Sequence, residues 1–229
     1  MLLLHGLIAF LAISSTLSSQ ESRPLDPSIF QAGDAGREPS QRATDLVAAL
    51  EVSPGDWVAD VGAGGGYYSM RLADLAGPGG KIFAEDISDS PLRALKARVQ
   101  AFDLRNVEVV KGEADDPKLP AERLAAVLIV DSYHHFTNYP AMLAKILHAL
   151  KPGGRLVIAD YSSKDHRSQA RADQLKLHEI DLALVRAEVE QAGFQVVRVE
   201  DPFVEWRPGA GNTRGSPTDL WLMVAVRPK

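Results

Sequence analysis

The chain of 229 residues is long enough for one substantial α/β domain and too short for two ordinary ones. Its 45% hydrophobic and 24% charged content is globular, and a net charge of -5 argues against a nucleic-acid backbone as the main partner. With no cysteine, disulfides, thiolate metal sites and a cysteine nucleophile are excluded.

Taken in order, the chain opens on an apolar stretch, Leu2 to Leu17, broken by His5, Gly6 and a few hydroxyls and followed by Ser18, Ser19 and Gln20. Residues 1–19 are therefore expected to be a signal-like or membrane-associating segment, which points to an exported, periplasmic or membrane-associated protein. The segment has no Lys or Arg before the apolar run and no A-x-A, so a cytoplasmic location is the alternative. Residues 20–38, rich in Pro, Gly, Ser and charge, are expected to be a linker, and 39–229 the folded domain. Ala43, Leu46, Val47 and Leu50 have helical spacing, which predicts a helix over Ser40 to Leu50.

Trp57 to Leu72 is the stretch on which the reading turns. A short apolar run ends in Asp60, glycines follow at Gly62, Gly64, Gly65 and Gly66, and a helical pattern resumes through Tyr67, Met70 and Leu72. Glycines there permit a sharp turn and a close approach of ligand to backbone. The amides at the next helix N-terminus are expected to favour an anionic group. A dinucleotide fingerprint would need a third glycine where Tyr67 stands. The spacing G-x-G-x-G over Gly62, Gly64 and Gly66, two residues after Asp60, resembles motif I of the class I S-adenosylmethionine-dependent methyltransferases.

That resemblance implies a Rossmann-like α/β fold with a mostly parallel seven-stranded sheet of order 3-2-1-4-5-7-6 and helices on both faces. It implies S-adenosylmethionine as cofactor, with Asp60 facing the methionine ammonium and Gly62, Ala63, Gly64 and Gly66 packing along the amino-acid part. Lys81 to Ala84 starts a second strand ending in Glu85 and Asp86, and Asp86 stands where such folds place a carboxylate on ribose hydroxyls. The pattern K-x-x-A-x-D-I over Lys81 to Ile87 favours Asp86 over Glu85, and sets Ile87 against the adenine face. After a third strand, Val107 to Val110, the resemblance carries adenine recognition onto Ala114 and Asp115.

A fully apolar strand, Ala125 to Val130, ends in Asp131-Ser132-Tyr133-His134-His135-Phe136. In the resembled family this loop meets the transferred methyl and its acceptor, so Asp131 joins the cofactor set and Tyr133, His134 and His135 are the catalytic candidates. The stretch is not the N-P-P-Y type used on exocyclic amines of DNA bases. Asn138 and Pro140 open a helix that Lys151-Pro152-Gly153-Gly154 ends, and Arg155 to Ala159 forms strand five; this L-K-P-G-G-R-L-V-I turn also resembles the family's. Asp160 to Lys176 is polar enough for a lid. Phe194 to Val199 and Leu220 to Val226 complete the strands around a Gly/Pro-rich excursion from Asp201 to Thr218.

The sequence thus predicts methyl transfer from S-adenosylmethionine to a small-molecule acceptor, with no nucleic acid as partner and membrane association through the N-terminus as a further expectation. Acceptor, attacked atom and oligomeric state are not legible. No metal is implied, since the His and carboxylates do not recur at a recognisable ligand spacing. The competing readings are an adenosyl-binding protein without turnover and, disfavoured by Tyr67 and Asp60, a nicotinamide oxidoreductase.

Overall fold

The computed structural model describes residue 34, residues 36–208 and residues 217–229. The signal-like stretch 1–19, most of the 20–38 segment and the middle of the 201–218 excursion lie outside the described residues. No helix among the described residues is long and apolar enough to cross a membrane.

Seven strands form one sheet: β1 (Trp57–Val61), β2 (Lys81–Asp86), β3 (Val107–Lys111), β4 (Leu124–Val130), β5 (Leu150–Ser162), β6 (Gln195–Val204) and β7 (Asp219–Val226). Their order is β3-β2-β1-β4-β5-β7-β6, as the resemblance implied, with only the pairings of β7 antiparallel. The interior strands β1, β4 and β7 are almost continuously buried because both faces are covered, whereas the edge strands β3 and β6 carry exposed polar positions. Along β4, Ala126, Leu128 and Val130 enter one core cluster while Val127 and Ile129 enter the other. The first cluster is closed by α2 (Ala43–Ala48), α3 (Tyr67–Ala76) and α4 (Asp89–Ala101), through residues such as Leu46, Met70 and Leu95. The second is closed by α5 (Tyr139–Ala149) and α7 (Leu182–Gln191), through Leu143, Ile146, Val185 and Val189. A short helix, α6 (Arg171–Lys176), lies between β5 and α7 in the chain.

Three local differences from the sequence reading have physical reasons. The helix expected over Ser40 to Leu50 is two: α1 (Arg37–Gln41), which begins inside the expected linker, and α2, parted at Arg42 with φ 47°. Arg42 is held in that left-handed state by its side chain, which bonds Asp45 and the Phe203 carbonyl and lies over the Phe203 ring at 4.2 Å. The Lys151 to Gly154 turn does not precede strand five but interrupts it: Leu150 already pairs with Leu124, and pairing resumes at Arg155 with Ala126. The 160–176 segment is tied down: Ser162 and Ser163 are buried, Arg167 makes two bonds to Asp201 at 2.7 and 2.9 Å, and Arg171 bonds Glu188 at 2.7 Å.

Candidate functional site

The carboxyl ends of β1, β2 and β4 open into a cavity of about 560 Å³, at the position where open α/β sheets bind ligands. Asp60, Gly62, Ala63, Gly64, Asp86, Ile87, Ala114, Asp131 and His135 line it, as expected, whereas Gly66, Asp115, Tyr133 and His134 do not.

The motif I glycines divide by what surrounds them. Gly62 has φ +72°, and a Cβ there would meet the Ser132 side chain, with Cβ···Cβ at 2.6 Å. Gly66 has φ +84°, and its Cβ would lie 2.3 Å from Leu95 Cδ1 on α4. Gly66 is therefore a packing glycine beneath the loop rather than a ligand contact. Gly64 has φ +54°, and a Cβ there would meet nothing within 4 Å. Of the three, Gly64 is the one that leaves room on the cavity side.

Three amides of the glycine loop, upstream of the α3 N-terminus, are already engaged. Gly62 donates to Glu85 Oε2 at 3.3 Å, Ala63 to the Glu85 carbonyl at 2.7 Å, and Gly64 to Asp86 Oδ2 at 3.0 Å. Asp86 Oδ1 accepts from the Ser88 amide at 2.7 Å. Strand β2 thus ends in two carboxylates that fasten the glycine loop, with different surroundings. Glu85 is buried, and burial pushes its carboxyl up to about 8. Asp86 is half-buried on the cavity wall and keeps lone pairs for further donors.

Asp60 is buried at the end of β1 and accepts from Ser69 Oγ at 2.6 Å. Burial raises its carboxyl to about 6, against the bond from Ser69 and the charge of Arg37. Arg37, which sequence reasoning left in the linker, reaches the cavity from α1 with its guanidinium 5.2 Å from the Tyr67 ring centroid. Gln41 holds that helix in place, accepting from Tyr68 at 2.8 Å and donating to Tyr161 at 3.3 Å. No local pattern signals this contact, because α1 meets α3 and β5 only in the fold.

On the loop after β4, the three catalytic candidates part. Tyr133 is fully buried in the core on the α5 and α7 face and donates to Glu188 Oε2 at 2.7 Å. Its phenol is pushed far up by burial and by the Glu188 charge, so the structure takes it out of contact with an acceptor. His134 is buried, its Nδ1 3.0 Å from Asp160 Oδ1 and its amide bonded to Asp160 Oδ2 at 3.0 Å. It orients the loop rather than facing the cavity. His135 is exposed and on the wall, and its imidazole is pushed down by burial and by the neighbouring His134 and His178. Asp115 is exposed and does not line the cavity, while Ala114 is on the wall beside Glu113.

Residues 58–154 match the family described as methyltransferase domain. A ubiquinone/menaquinone biosynthesis C-methyltransferase, UbiE of Pseudomonas putida strain F1, is 30% identical over 122 residues, covering 53% of this chain and 48% of that protein. The chain spans about half the length of the curated relatives it matches. A solved S-adenosylmethionine-dependent methyltransferase from Aquifex aeolicus superposes over 88% of this chain and 98% of its own, with a TM-score of 0.68 and 24% identity. The chain has the class I methyltransferase fold. The resemblance read from motif I and the Leu150 to Ile158 turn is borne out. The same fold also carries the [4+2]-cyclase SpnF, which superposes over 82% of this chain and 81% of its own with a TM-score of 0.66 and 20% identity.

The cavity fits the cofactor that the resemblance implies. Five carboxyl groups, those of Asp60, Glu85, Asp86, Glu113 and Asp131, line it against one guanidinium, Arg37. Such a wall suits a ligand bearing a sulfonium and an ammonium, and opposes a pyrophosphate, whose charge the carboxyl groups repel. Asp86→Ala is expected to weaken binding of S-adenosylhomocysteine tenfold to a hundredfold, roughly 1.5–3 kcal/mol, through loss of the ribose bonds that the resemblance implies. Calorimetric titration of the folded variant checks this, and unchanged affinity would sink the assignment.

Proposed function

We propose that the protein transfers a methyl group from S-adenosylmethionine to a small-molecule acceptor. The observation that carries this reading is the acidic cavity at the β1, β2 and β4 ends, with Gly64 open to it and Asp60 and Asp86 on its wall. When bound, the cofactor supplies a methyl carbon already activated by the sulfonium. Asp60 holds the ammonium, Arg37 faces the carboxylate of the same amino-acid part, and Asp86 accepts from the ribose hydroxyls. Ile87, 49% exposed at the cavity, gives the adenine an apolar face whose cover offsets its exposure. The protein's contribution to rate is alignment, since well-oriented reactants reach effective molarities on the order of 10⁵ M or more. His135 and Phe136, from the loop after β4, flank the place left for the acceptor.

Relatives named as C-methyltransferases of ubiquinone and menaquinone biosynthesis support a small-molecule rather than a macromolecular acceptor. A fold shared with a cyclase does not by itself fix turnover. Incubation with methyl-labelled donor and a panel of phenols, enols and amines tests the proposal. Label in an acceptor, absent with Asp60→Asn, supports it; tight cofactor binding without transfer to any acceptor favours an adenosyl-binding protein that does not turn over.

A further inference from the structure

Three histidines converge beside the cavity on a site that methyl transfer does not require. His134 and His135 come from the loop after β4, and His178 from the connection between α6 and α7. Their ring centroids lie 4.0 Å (His134–His135), 5.6 Å (His134–His178) and 5.5 Å (His135–His178) apart. Each offers a ring nitrogen, and these nitrogens all lie within 4.8 Å of one another.

The chain holds both sides of this convergence in place. Residues next to His178 are pinned: Ile180 donates to the Tyr161 carbonyl at 2.9 Å, and its own carbonyl accepts from Trp221 Nε1 at 2.8 Å. The Glu179 carboxylate, buried, accepts from the Ser163 amide at 2.8 Å and faces His166 Nδ1 at 3.0 Å. On the other side, Asp160 fixes His134 through Nδ1, which leaves Nε2 as the free ligand atom. A carboxylate on the far nitrogen is the usual support of a metal-bound imidazole, setting its tautomer and raising its basicity. Three imidazoles facing one another repel when protonated, so the cluster is favourable when neutral or when sharing a cation.

We infer that His134, His135 and His178 form a binding site for a divalent transition metal of the zinc type at the edge of the cavity. All-imidazole ligation selects zinc, copper, nickel or iron over magnesium or calcium. Three protein ligands on a tetrahedral ion keep a fourth position for water or an oxygen ligand. With metal–nitrogen bonds of about 2.0–2.1 Å, ligating nitrogens stand about 3.4 Å apart, so the rings must close inward. His135 and His178 are exposed, so the closing movement falls to them, while His134 stays fixed by Asp160. A second grouping, Asp131, His134 and Asp160, is similarly close. It is the weaker candidate because the Asp160 oxygens already accept from His134 and from the Tyr161 amide. The site stands whether or not the cavity holds a methyl donor. A metal-bound His135 is not a proton acceptor, so occupancy gives the acceptor side of the cavity a Lewis acid in place of a base.

The test uses the full chain, stripped with chelator and titrated with zinc against a chromophoric competitor, and with cobalt(II) by absorption spectroscopy. One equivalent bound at micromolar affinity or better is expected, with the visible bands of a four-coordinate cobalt centre. His178→Ala and His135→Ala, both at exposed positions, are each expected to weaken zinc binding at least a hundredfold and to abolish those bands. His148→Ala, on exposed α5 surface, is expected to leave them unchanged. No binding to the intact chain, or binding that survives His178→Ala in a protein whose circular dichroism is unchanged, overturns the inference.

Discussion

Replacing Asp60 with Asn is expected to make the protein more stable above pH 6 and poor at holding its cofactor. Burial raises the Asp60 carboxyl from an ordinary 3.8 to about 6, so the folded state binds the proton more tightly than the unfolded state. The sign follows from linkage. Stability falls as pH rises from about 4 to about 6, and the whole penalty, about 2–3 kcal/mol, is present above pH 6. Asn keeps an acceptor for Ser69 without the charge, so Asp60→Asn is expected to recover most of that energy at pH 7.5 and none at pH 4. Denaturant melts of both proteins across pH 4–8 check it. Glu85, raised to about 8 by burial and in smaller part by the Asp86 and Asp60 charges, extends the wild-type decline toward pH 8, and Asp60→Asn lessens that part of it as well. The gain in stability has a functional cost. Without the carboxylate, the ammonium of S-adenosylmethionine loses its counter-charge, and binding is expected to weaken by roughly 2–4 kcal/mol, about thirtyfold to a thousandfold. For the same reason wild-type affinity is expected to drop as pH falls below 6. A variant that is neither more stable nor weaker in binding would show that Asp60 is neither charged nor in contact with the ligand.

Gly62 and Gly64 are expected to fail in opposite ways. Gly62→Ala places a methyl group onto the Ser132 side chain at φ +72°, which combines left-handed strain with overpacking, roughly 2–4 kcal/mol of stability. Gly64→Ala, at φ +54° with open space beyond, costs only the left-handed term, about 1–2 kcal/mol. Its methyl group projects where the ligand is to lie, so cofactor affinity is expected to fall tenfold to a hundredfold in a protein that still folds. Thermal melts and titration with S-adenosylhomocysteine separate the two. Equal losses of stability, or undiminished binding by Gly64→Ala, would contradict the division of roles.

The sheet was legible because its signals are local. Apolar runs, glycine turns and the strand-ending acids Asp60, Asp86 and Asp131 each announce themselves within a few residues, and the strand order followed from the family resembled. What the sequence could not yield depends on distant partners. Tyr133 reads as a polar site residue until Glu188, fixed by Arg171, receives its hydroxyl inside the core. Arg37 reads as linker until Gln41 bonds Tyr68 and Tyr161 and brings α1 over the cavity. His178 lies far along the chain from His134, so no ligand spacing could reveal the cluster they form. Even the glycines were uniform as letters and differ only by what stands beside them: Ser132 at Gly62, open cavity at Gly64, Leu95 at Gly66.

The most direct measurement is a parallel calorimetric titration of the full chain at pH 7.5 with S-adenosylhomocysteine, S-adenosylmethionine and NAD. Micromolar binding of both adenosyl compounds at one site per chain, with no heat from NAD, is the predicted result, because the cavity's carboxyl groups attract a cationic donor and repel a pyrophosphate. Binding of NAD without the adenosyl compounds would contradict the assignment of this cavity to a methyl donor.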